Sequence, residues 1–511
     1  MNLFKTLFGV GSMTFLSRIL GFLRDSIIAR VFGAGLATDA FFVAFKIPNL
    51  LRRISAEGAF TQAFVPILGE YKTKKSTADV AILVNKVTTL LAIFLVLITL
   101  LGVFGAPWLI YMSAPGFAQN PTKFNLTIDL LQITFPYIFF ISLVSLAGGI
   151  LNTYGKFLVP AFTPVWLNLS FIIGALFFSQ YFEKPVYVLA WAVFFGGLLQ
   201  LFFQIPFLKQ IGLIPKPDLD LRDAGVWRIL KLMGPAVIGV SITQISLLIN
   251  TIFASFLAIG SVSWLYYADR LMEFPVGILG VALSTILLPN LSKSFASKNN
   301  KSYSKLLNWG LKLGLVFAAP AAVALFILST PLITTLFYYG AFTAHDVQMT
   351  HYAVMAYSIG LVGLIIVKIL APAFYAQQNI KTPVKIALFT LLCTQFMNLL
   401  FIGFFQHAGL ALAIGLGACV NASLLFYFLR KNSFFTLDQD WPVFLFKLLI
   451  SLVILAVALL FLRGSNDAWV YYSFFEKLKF LSIAIIFGGF VYFLSLWLLG
   501  IKLKQFIKQT N

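Results

Sequence analysis

Arg18, Arg24, Asp25 and Arg30 all fall inside one apolar stretch, FLSRILGFLRDSIIARVFG, which begins at Phe15. The next apolar stretch carries Asp39, then Lys46, Asn49, Arg52, Arg53 and Glu57. Asp269, Arg270 and Glu273 form a third group, and Lys368 stands alone in a fourth stretch. In hydrocarbon, each Arg or Lys at the centre of a helix costs about 3 kcal/mol on insertion scales. Four to six cations turned toward lipid would cost on the order of 10–20 kcal/mol, comparable to the stability of a whole protein. They must therefore face water, one another or a ligand. Cations outnumber the neighbouring carboxylates, so the surplus calls for an anion from elsewhere. Guanidinium groups meet phosphate oxygens as a two-pronged fork. The chemistry these residues suit is the binding of an anionic, phosphorylated ligand in a water-filled cavity.

Spacing supports a shared face in part. Arg18 and Asp25 are seven residues apart, as are Lys46 and Arg53, so each pair is nearly superposed on its helix. Arg53 and Glu57 stand at i, i+4 and Arg270 and Glu273 at i, i+3, spacings at which side chains pair. Arg18 and Arg24 share no face unless Gly21 permits a bend between them. For Arg30, Lys368 and the Arg53–Glu57 pair, structural pairing or snorkelling is the stronger reading. For Arg18, Arg24, Arg52 and Arg270, contact with a ligand is the stronger one. Asp39, Asp269 and Glu273 lie toward the outer ends of their helices. With basic partners they would form gating ion pairs, wet and worth ~1 kcal/mol or less each. The plainer role for Asp39 is to cap its own helix. Ser17, Asn49, Asn168, Gln244, Asn250, Ser263, Gln395, Asn398 and Asn421 either line the same cavity or bond neighbouring helices together.

The elements that position these residues must span a membrane. Of 511 residues, 60% are hydrophobic and 11% charged, with a mean hydropathy of +0.94. A soluble domain carries about 25% charged residues. Apolar runs of roughly 20 residues or more recur from 4–32, 36–68, 80–112 and 124–152 through to 226–257, 442–463 and 477–500, about 14 in all. The chain reads as an all-α polytopic membrane protein. Its net charge of +20 sits mostly in short loops, which fits the positive-inside pattern and not nucleic acid binding. One set of loops holds Lys72, Lys74 and Lys75, then Lys156, Lys209, Lys216, Lys293, Lys298, Lys381, Lys385, Arg430 and Lys431. The alternate loops GAGLATD (33–39), AIGS (258–261) and YGAFTAHD (339–346) have no Lys or Arg. The basic set is assigned to the cytoplasm, which places both termini there. The loop 463–479, with Arg463, Lys477 and Lys479, breaks the alternation.

Signatures of hydrolases, nucleotide-binding loops and zinc proteases are absent. His345, His351 and His407 lack metal-ligand spacing. Cys393 and Cys419 lie inside apolar runs, as buried thiols do. Neither a metal nor a cofactor is expected. FFVAFKIPN (41–49) resembles LYYADRLME (265–273), and FVPILGEYK (64–72) resembles LLPNLSKSF (287–295), at an offset of about 224 residues. Residues 1–220 (helices 1–6) and 221–432 (helices 7–12) then form two pseudo-symmetric six-helix lobes, with helices 13 and 14 (433–511) outside the repeat. Two-lobed transporters hold their sites between the lobes near mid-membrane. Pro48, Pro66, Pro136, Pro235, Pro275, Pro289 and Pro372 are kink candidates within spans.

SRxLGFxRD (17–25), GAGxATDAFFVAFKxPNLLRR (33–53), AEGAFxQAFVP (56–66) and YYADRLMEFP (266–275) resemble the MurJ-type lipid II flippases of Gram-negative bacteria. This MviN family belongs to the multidrug/oligosaccharidyl-lipid/polysaccharide exporter superfamily, and the resemblance runs nearly the whole chain. It implies two six-helix lobes around a central cationic cavity, with two extra C-terminal helices forming a groove for a lipid tail. It implies transfer of lipid II, the undecaprenyl-diphosphate-linked peptidoglycan precursor, from the cytoplasmic to the periplasmic leaflet of the bacterial inner membrane. Alternating access, membrane potential in place of ATP, and no cofactor go with it. Substrate binding falls to Arg18, Arg24, Arg52 and Arg270, with Asp25 and Asn49 nearby. Asp39, Glu273, Asp269, Arg53 and Glu57 are the gating or ion-pair set. The partners implied are lipid II, inner-membrane lipids and, as candidates, other cell-wall synthesis proteins, with no nucleic acid. The alkali-ion site of some members is not evident, since helices 11 and 12 lack an acid. A drug or cation antiporter of the superfamily would share the fold but bury carboxylates where this chain is net basic. A flippase for another lipid-linked glycan stays open. A membrane glycosyltransferase would need an acid cluster and a soluble portion, and the chain has neither.

Overall fold

A computed structural model of the chain describes residues 3–54, 60–220, 223–431 and 435–502. Among these residues all regular structure is helical. The chain divides into two compact units, Met1–Ser263 and Trp264–Asn511. The first unit runs α1 (Leu3–Phe32), α2 (Leu36–Ile54), α3 (Thr61–Lys74), α4 (Thr77–Phe104), α5 (Ala106–Ser113), α6 (Pro121–Thr134), α7 (Tyr137–Thr153), α8 (Leu158–Phe162), α9 (Pro164–Ile173), α10 (Tyr187–Gln210), α11 (Ala224–Ser255) and the first turn of α12 (Ser261–Pro275). The second unit holds the rest of α12, then α13 (Val281–Ala296), α14 (Asn300–Ile327), α15 (Ser329–Leu336), α16 (Ala344–Ala376), α17 (Lys381–Lys431), α18 (Trp441–Arg463), α19 (Ala468–Tyr471) and α20 (Phe474–Leu498).

Ten helices among the described residues are long and apolar enough to cross a membrane. Neither α1 nor α2 counts among them; the 19 residues of α2 carry Asp39, Lys46, Arg52 and Arg53. The longest helix, α17, has 51 residues and at 1.5 Å per residue would run about 77 Å, over twice a ~30 Å hydrocarbon core. It leaves helical geometry at Gln406 (φ 49°, ψ −127°), so it is two helices, 381–405 and 407–431. The run 36–68 is not one helix: α2 ends at Ile54, α3 starts at Thr61, and 55–59 lie outside the described residues. The run 80–112 divides at Gly105, while 124–152 stays within one membrane-spanning stretch, Pro121–Thr153, interrupted by a turn at Phe135–Pro136. Gly33 has φ 68°, a left-handed turn that ends α1 and lets α2 begin three residues on.

In the first unit, Phe60 with Phe64, Ile67 and Leu68 of α3 packs on Leu83 and Val84 of α4, Ile150 of α7 and Leu208 of α10. The segment between α10 and α11 lies along α4. Lys216 and Asp218 donate their backbone N–H groups to Asn85 and Thr89 at 2.8 and 2.9 Å. Lys86 meets Asp220 at 3.1 Å. Beyond it, Arg228 donates to Glu70 at 2.7 Å and, with Lys74, holds that exposed carboxyl below its ordinary range.

In the second unit, α18 and α20 pair and lean on α14. Tyr492 donates to the Val316 carbonyl at 2.7 Å, and Trp441 donates to Asn308 at 2.6 Å. Lys312 bridges Asp438 and Asp440 at 3.0 and 2.7 Å. The tightest approach joins α16 to 407–431. A Cβ on Gly360 would lie 2.0 Å from the Gly415 Cα, and one on Gly363 would lie 2.7 Å from the Cys419 nitrogen. Without a hydrophobic drive between helices in lipid, such small-residue faces let backbones touch and gain dispersion. Gly360→Val should therefore force these helices apart. The expected loss is about 1–3 kcal/mol or more, read as a lower thermal unfolding midpoint of the purified protein in detergent. An unchanged midpoint would show that the contact contributes nothing.

Candidate functional site

Arg24 is the best-held of the expected ligand-binding cations. It is buried on α1, beside Asp25. Its Nε and one terminal nitrogen donate to Asp25 Oδ1 at 2.9 and 2.7 Å, and the other donates to Asn168 Oδ1 of α9 at 3.1 Å. The Phe171 ring, one turn further along α9, lies 5.3 Å from the guanidinium carbon. Asn168 in turn donates to the Ser17 carbonyl at 3.1 Å. The amide thus ties α1 to α9 and orients the guanidinium at once. Of the polar residues that could either line a cavity or bond helices together, Asn168 bonds helices together, and it does so through a cation.

Arg18 does not join Arg24. It is exposed and, among the described residues, has no side-chain hydrogen bond or ion pair. The helix runs on unbroken across Gly21. Arg30 is also exposed. On α2, Arg52 closes a fork on Asn49 Oδ1 at 2.9 and 2.7 Å, so the two are neighbours as expected. Arg53 is half-buried, and Glu57, its expected partner, lies outside the described residues. Lys46 borders a cavity of about 10 Å³ with Ser113, Thr251 and four apolar residues, roughly the space of a single water.

In the second unit, Arg270 donates to Glu273 at 2.8 Å, the pair read from i, i+3 spacing. Their side chains are 33% and 45% exposed, which makes it a wet, weak pair. Arg270 also donates to the Tyr266 hydroxyl at 3.2 Å, with its guanidinium carbon 4.9 Å from that ring's centre. Asp269 is half-buried. Lys368 is exposed, its stem lying over Gly280. Trp264, one and a half turns before Arg270, donates to Asp346 at 2.8 Å and fixes α12 against the start of α16.

Asp39 differs most from expectation. It is neither at a wet rim nor the cap of its own helix. Its exposure is 0%, and four donors converge on its carboxylate. Lys123 Nζ and the Gly260 N–H reach Oδ2, each at 2.8 Å; the Ser263 N–H and hydroxyl reach Oδ1 at 2.9 and 2.7 Å. Gly260 and Ser263 open α12, so Asp39 caps that helix from 221 and 224 residues away. A carboxylate there meets both the orphan N–H groups and the positive end of the helix dipole. Gly260 has φ 100°, which only glycine adopts without strain, and this turns its N–H inward. Thr38 serves α2 instead, accepting from the Gly35 N–H at 2.8 Å.

Lys123 escaped the sequence reading because it falls one residue before the span expected at 124–152. Its signal was a lysine in a loop that should be bare. It is as buried as Asp39's other partners and lies 3.9 Å from the Phe117 ring centre. Removing one member of a buried pair leaves an uncompensated charge and costs about 3–5 kcal/mol. Lys123→Met should lose that much in unfolding experiments. Lys123→Met combined with Asp39→Asn should lose less than the sum of the two single losses. Strict additivity would mean the charges do not sense each other.

Among the described residues no cluster of three His, Cys, Asp or Glu is placed to hold a metal ion. Residues 28–480 match the protein family described as lipid II flippase MurJ. The lipid II flippase MurJ of Burkholderia cenocepacia is 47% identical over 517 aligned positions, covering 100% of both chains. The probable lipid II flippase MurJ of Haemophilus influenzae is 40% identical, covering 96% of this chain and 98% of its own. A solved structure of lipid II flippase MurJ in an inward closed conformation has a TM-score of 0.80 at 29% identity, covering 95% and 97% of the two chains. An inward-facing multidrug resistance MATE family transporter of the MOP superfamily scores 0.67 at 15% identity, covering 83% and 97%, a likeness of fold alone. With a family match across most of its length and relatives aligned from end to end, the chain belongs to the MurJ family of lipid II flippases.

Proposed function

We propose that the chain carries lipid II from the cytoplasmic to the periplasmic leaflet of the bacterial inner membrane, for peptidoglycan synthesis. The observation that carries this reading is the end-to-end alignment with relatives named lipid II flippases. It is a transporter and not an enzyme. About fourteen spans, in two six-helix halves (1–220 and 221–432) followed by two further helices (433–511) for the lipid tail, are part of the proposal. So are cytoplasmic termini.

Arg18, Arg24, Arg52 and Arg270 engage the diphosphate during alternating access. Arg24 is held between Asp25, Asn168 and Phe171, so it needs little ordering to receive an anion. An incoming phosphate competes with Asp25 for the same guanidinium edge, and a carboxylate neighbour keeps the cation tolerable when no substrate is present. Asn49 does the same for Arg52 with a neutral oxygen. Asp269, Glu273, Arg53 and Glu57 act in gating, while Asp39 holds the start of α12. A potential negative inside favours outward movement of an anion by about 2.3 kcal/mol per charge per 100 mV, so no nucleotide is required.

The experiment is complementation. A Gram-negative host depleted of its own flippase should grow when supplied with this chain; lysis despite full expression would overturn the reading. Within that assay Arg24→Ala and Arg270→Ala should abolish growth with protein levels intact. The Arg→Lys variants should restore part at best, because the fork geometry is lost. Full growth with both alanine variants would remove these residues from the site. An antiporter of drugs or cations would instead leave the depleted host unrescued.

A further inference from the structure

Lys477 is a buried cation that the flippase reading does not use. It stands at the fourth helical position of α20 and is 3% exposed. Its ammonium lies 4.8 and 5.0 Å from the ring centres of Tyr338 and Tyr339. Among the described residues no carboxylate pairs with it and no hydrogen bond reaches it. Three circumstances oppose a charge there. Its side chain is largely withdrawn from water. It sits at the positive end of a helix. The adjacent acid, Glu476, is committed to the capping box, accepting from the Ser473 N–H and hydroxyl at 2.8 Å each. The two ring faces attract the cation but offer no acceptor to its three N–H donors.

The surroundings suggest what supplies that acceptor. Lys477 belongs to the loop region 463–479, which is basic where the alternation of loop charge calls for none. Phe461, Tyr471 and Phe475 project there almost fully exposed, as aromatic side chains do at a membrane–water boundary. We propose that Lys477, seated on Tyr338 and Tyr339, binds the phosphate of an anionic glycerophospholipid in the outer leaflet. The leaflet rests on the orientation proposed above. A phosphodiester carries one negative charge and matches one ammonium. A diphosphate would need further cations on the same ring faces, and among the described residues only Lys477 lies over Tyr338 and Tyr339: Arg463 donates to the carbonyls of Ile327 and Gly464 at 3.3 and 3.4 Å, and Lys479 lies over the ring of Phe480. The site holds the α18–α20 pair to its lipid surroundings.

The test is lipid retention by the purified full-length protein. Detergent micelles doped with equal amounts of phosphatidylglycerol and phosphatidylethanolamine are equilibrated with the protein, and the lipids retained are read by native mass spectrometry. The wild-type chain should keep phosphatidylglycerol over phosphatidylethanolamine by about fivefold, the factor expected of one basic residue at an anionic surface. Lys477→Met should bring the ratio to parity and Lys477→Arg should keep it. If Lys477→Met does not yield folded protein, Lys477→Gln replaces it. Parity in the wild-type chain, or an undiminished ratio in the neutral variants, would overturn the proposal. So would displacement of phosphatidylglycerol by undecaprenyl diphosphate in a third arm. Retention is measured without transport, so a chain that fails to move lipid II can still pass, and the two readings fall separately.

Discussion

A carboxylate and an ammonium with no water around them must find each other, and in the first unit that requirement is met by Asp39 and Lys123. Once Asp39 is paired, its remaining lone pairs can accept the N–H groups that open α12. Once those are accepted, the turn at Gly260 and the helix start at Ser261 have a defined place. A second case is Arg24, whose donors are met by a carboxylate, an amide and a ring face within one helix pair. The cations thus separate by what meets them. Those met by the protein set the geometry of helices. Arg18 is exposed and has no such partner among the described residues.

Much of the scaffold was legible, because long apolar runs leave little freedom. The runs at 226–257 and 442–463 reappear as Ala224–Ser255 and Trp441–Arg463. Local pairing was legible too: Arg270 finds Glu273 because i, i+3 neighbours on a helix have nowhere else to be. What hydropathy could not show was where a run breaks. The runs 36–68 and 80–112 each became two helices, since polarity is blind to a dihedral change such as that at Gly105. The environment of Asp39 was invisible for another reason. Its partners lie 84, 221 and 224 residues away, and no periodicity reports contacts of that range. Burial also inverted the energetic expectation, from a pair weakened by water to one strengthened by its absence.

The second unit relies less on charge than on small residues. Gly360 and Gly363 bring α16 against Gly415 and Cys419 at backbone contact. A lysine bridge to Asp438 and Asp440 and a tryptophan hydrogen bond to Asn308 tie the entry of α18 to α14. Such contacts favour motion of helices as blocks, because a seam with no side chain between its backbones can separate or hold but has no room to slide.

The pairing of Asp39 also bears on how the chain is made. Helices enter the membrane in the order of synthesis, and Lys123 follows Asp39 by 84 residues. At roughly 5–20 residues per second, the nascent chain carries α2 for about 4–17 s before that cation exists. The donors of Gly260 and Ser263 come later still. During that interval the carboxylate must remain near water, so α2 cannot take its final depth until α6 has arrived. Its settling is a delayed event of biogenesis, and a defect in the pair would be met first by the insertion machinery and the proteases that attend it, before any lipid is moved.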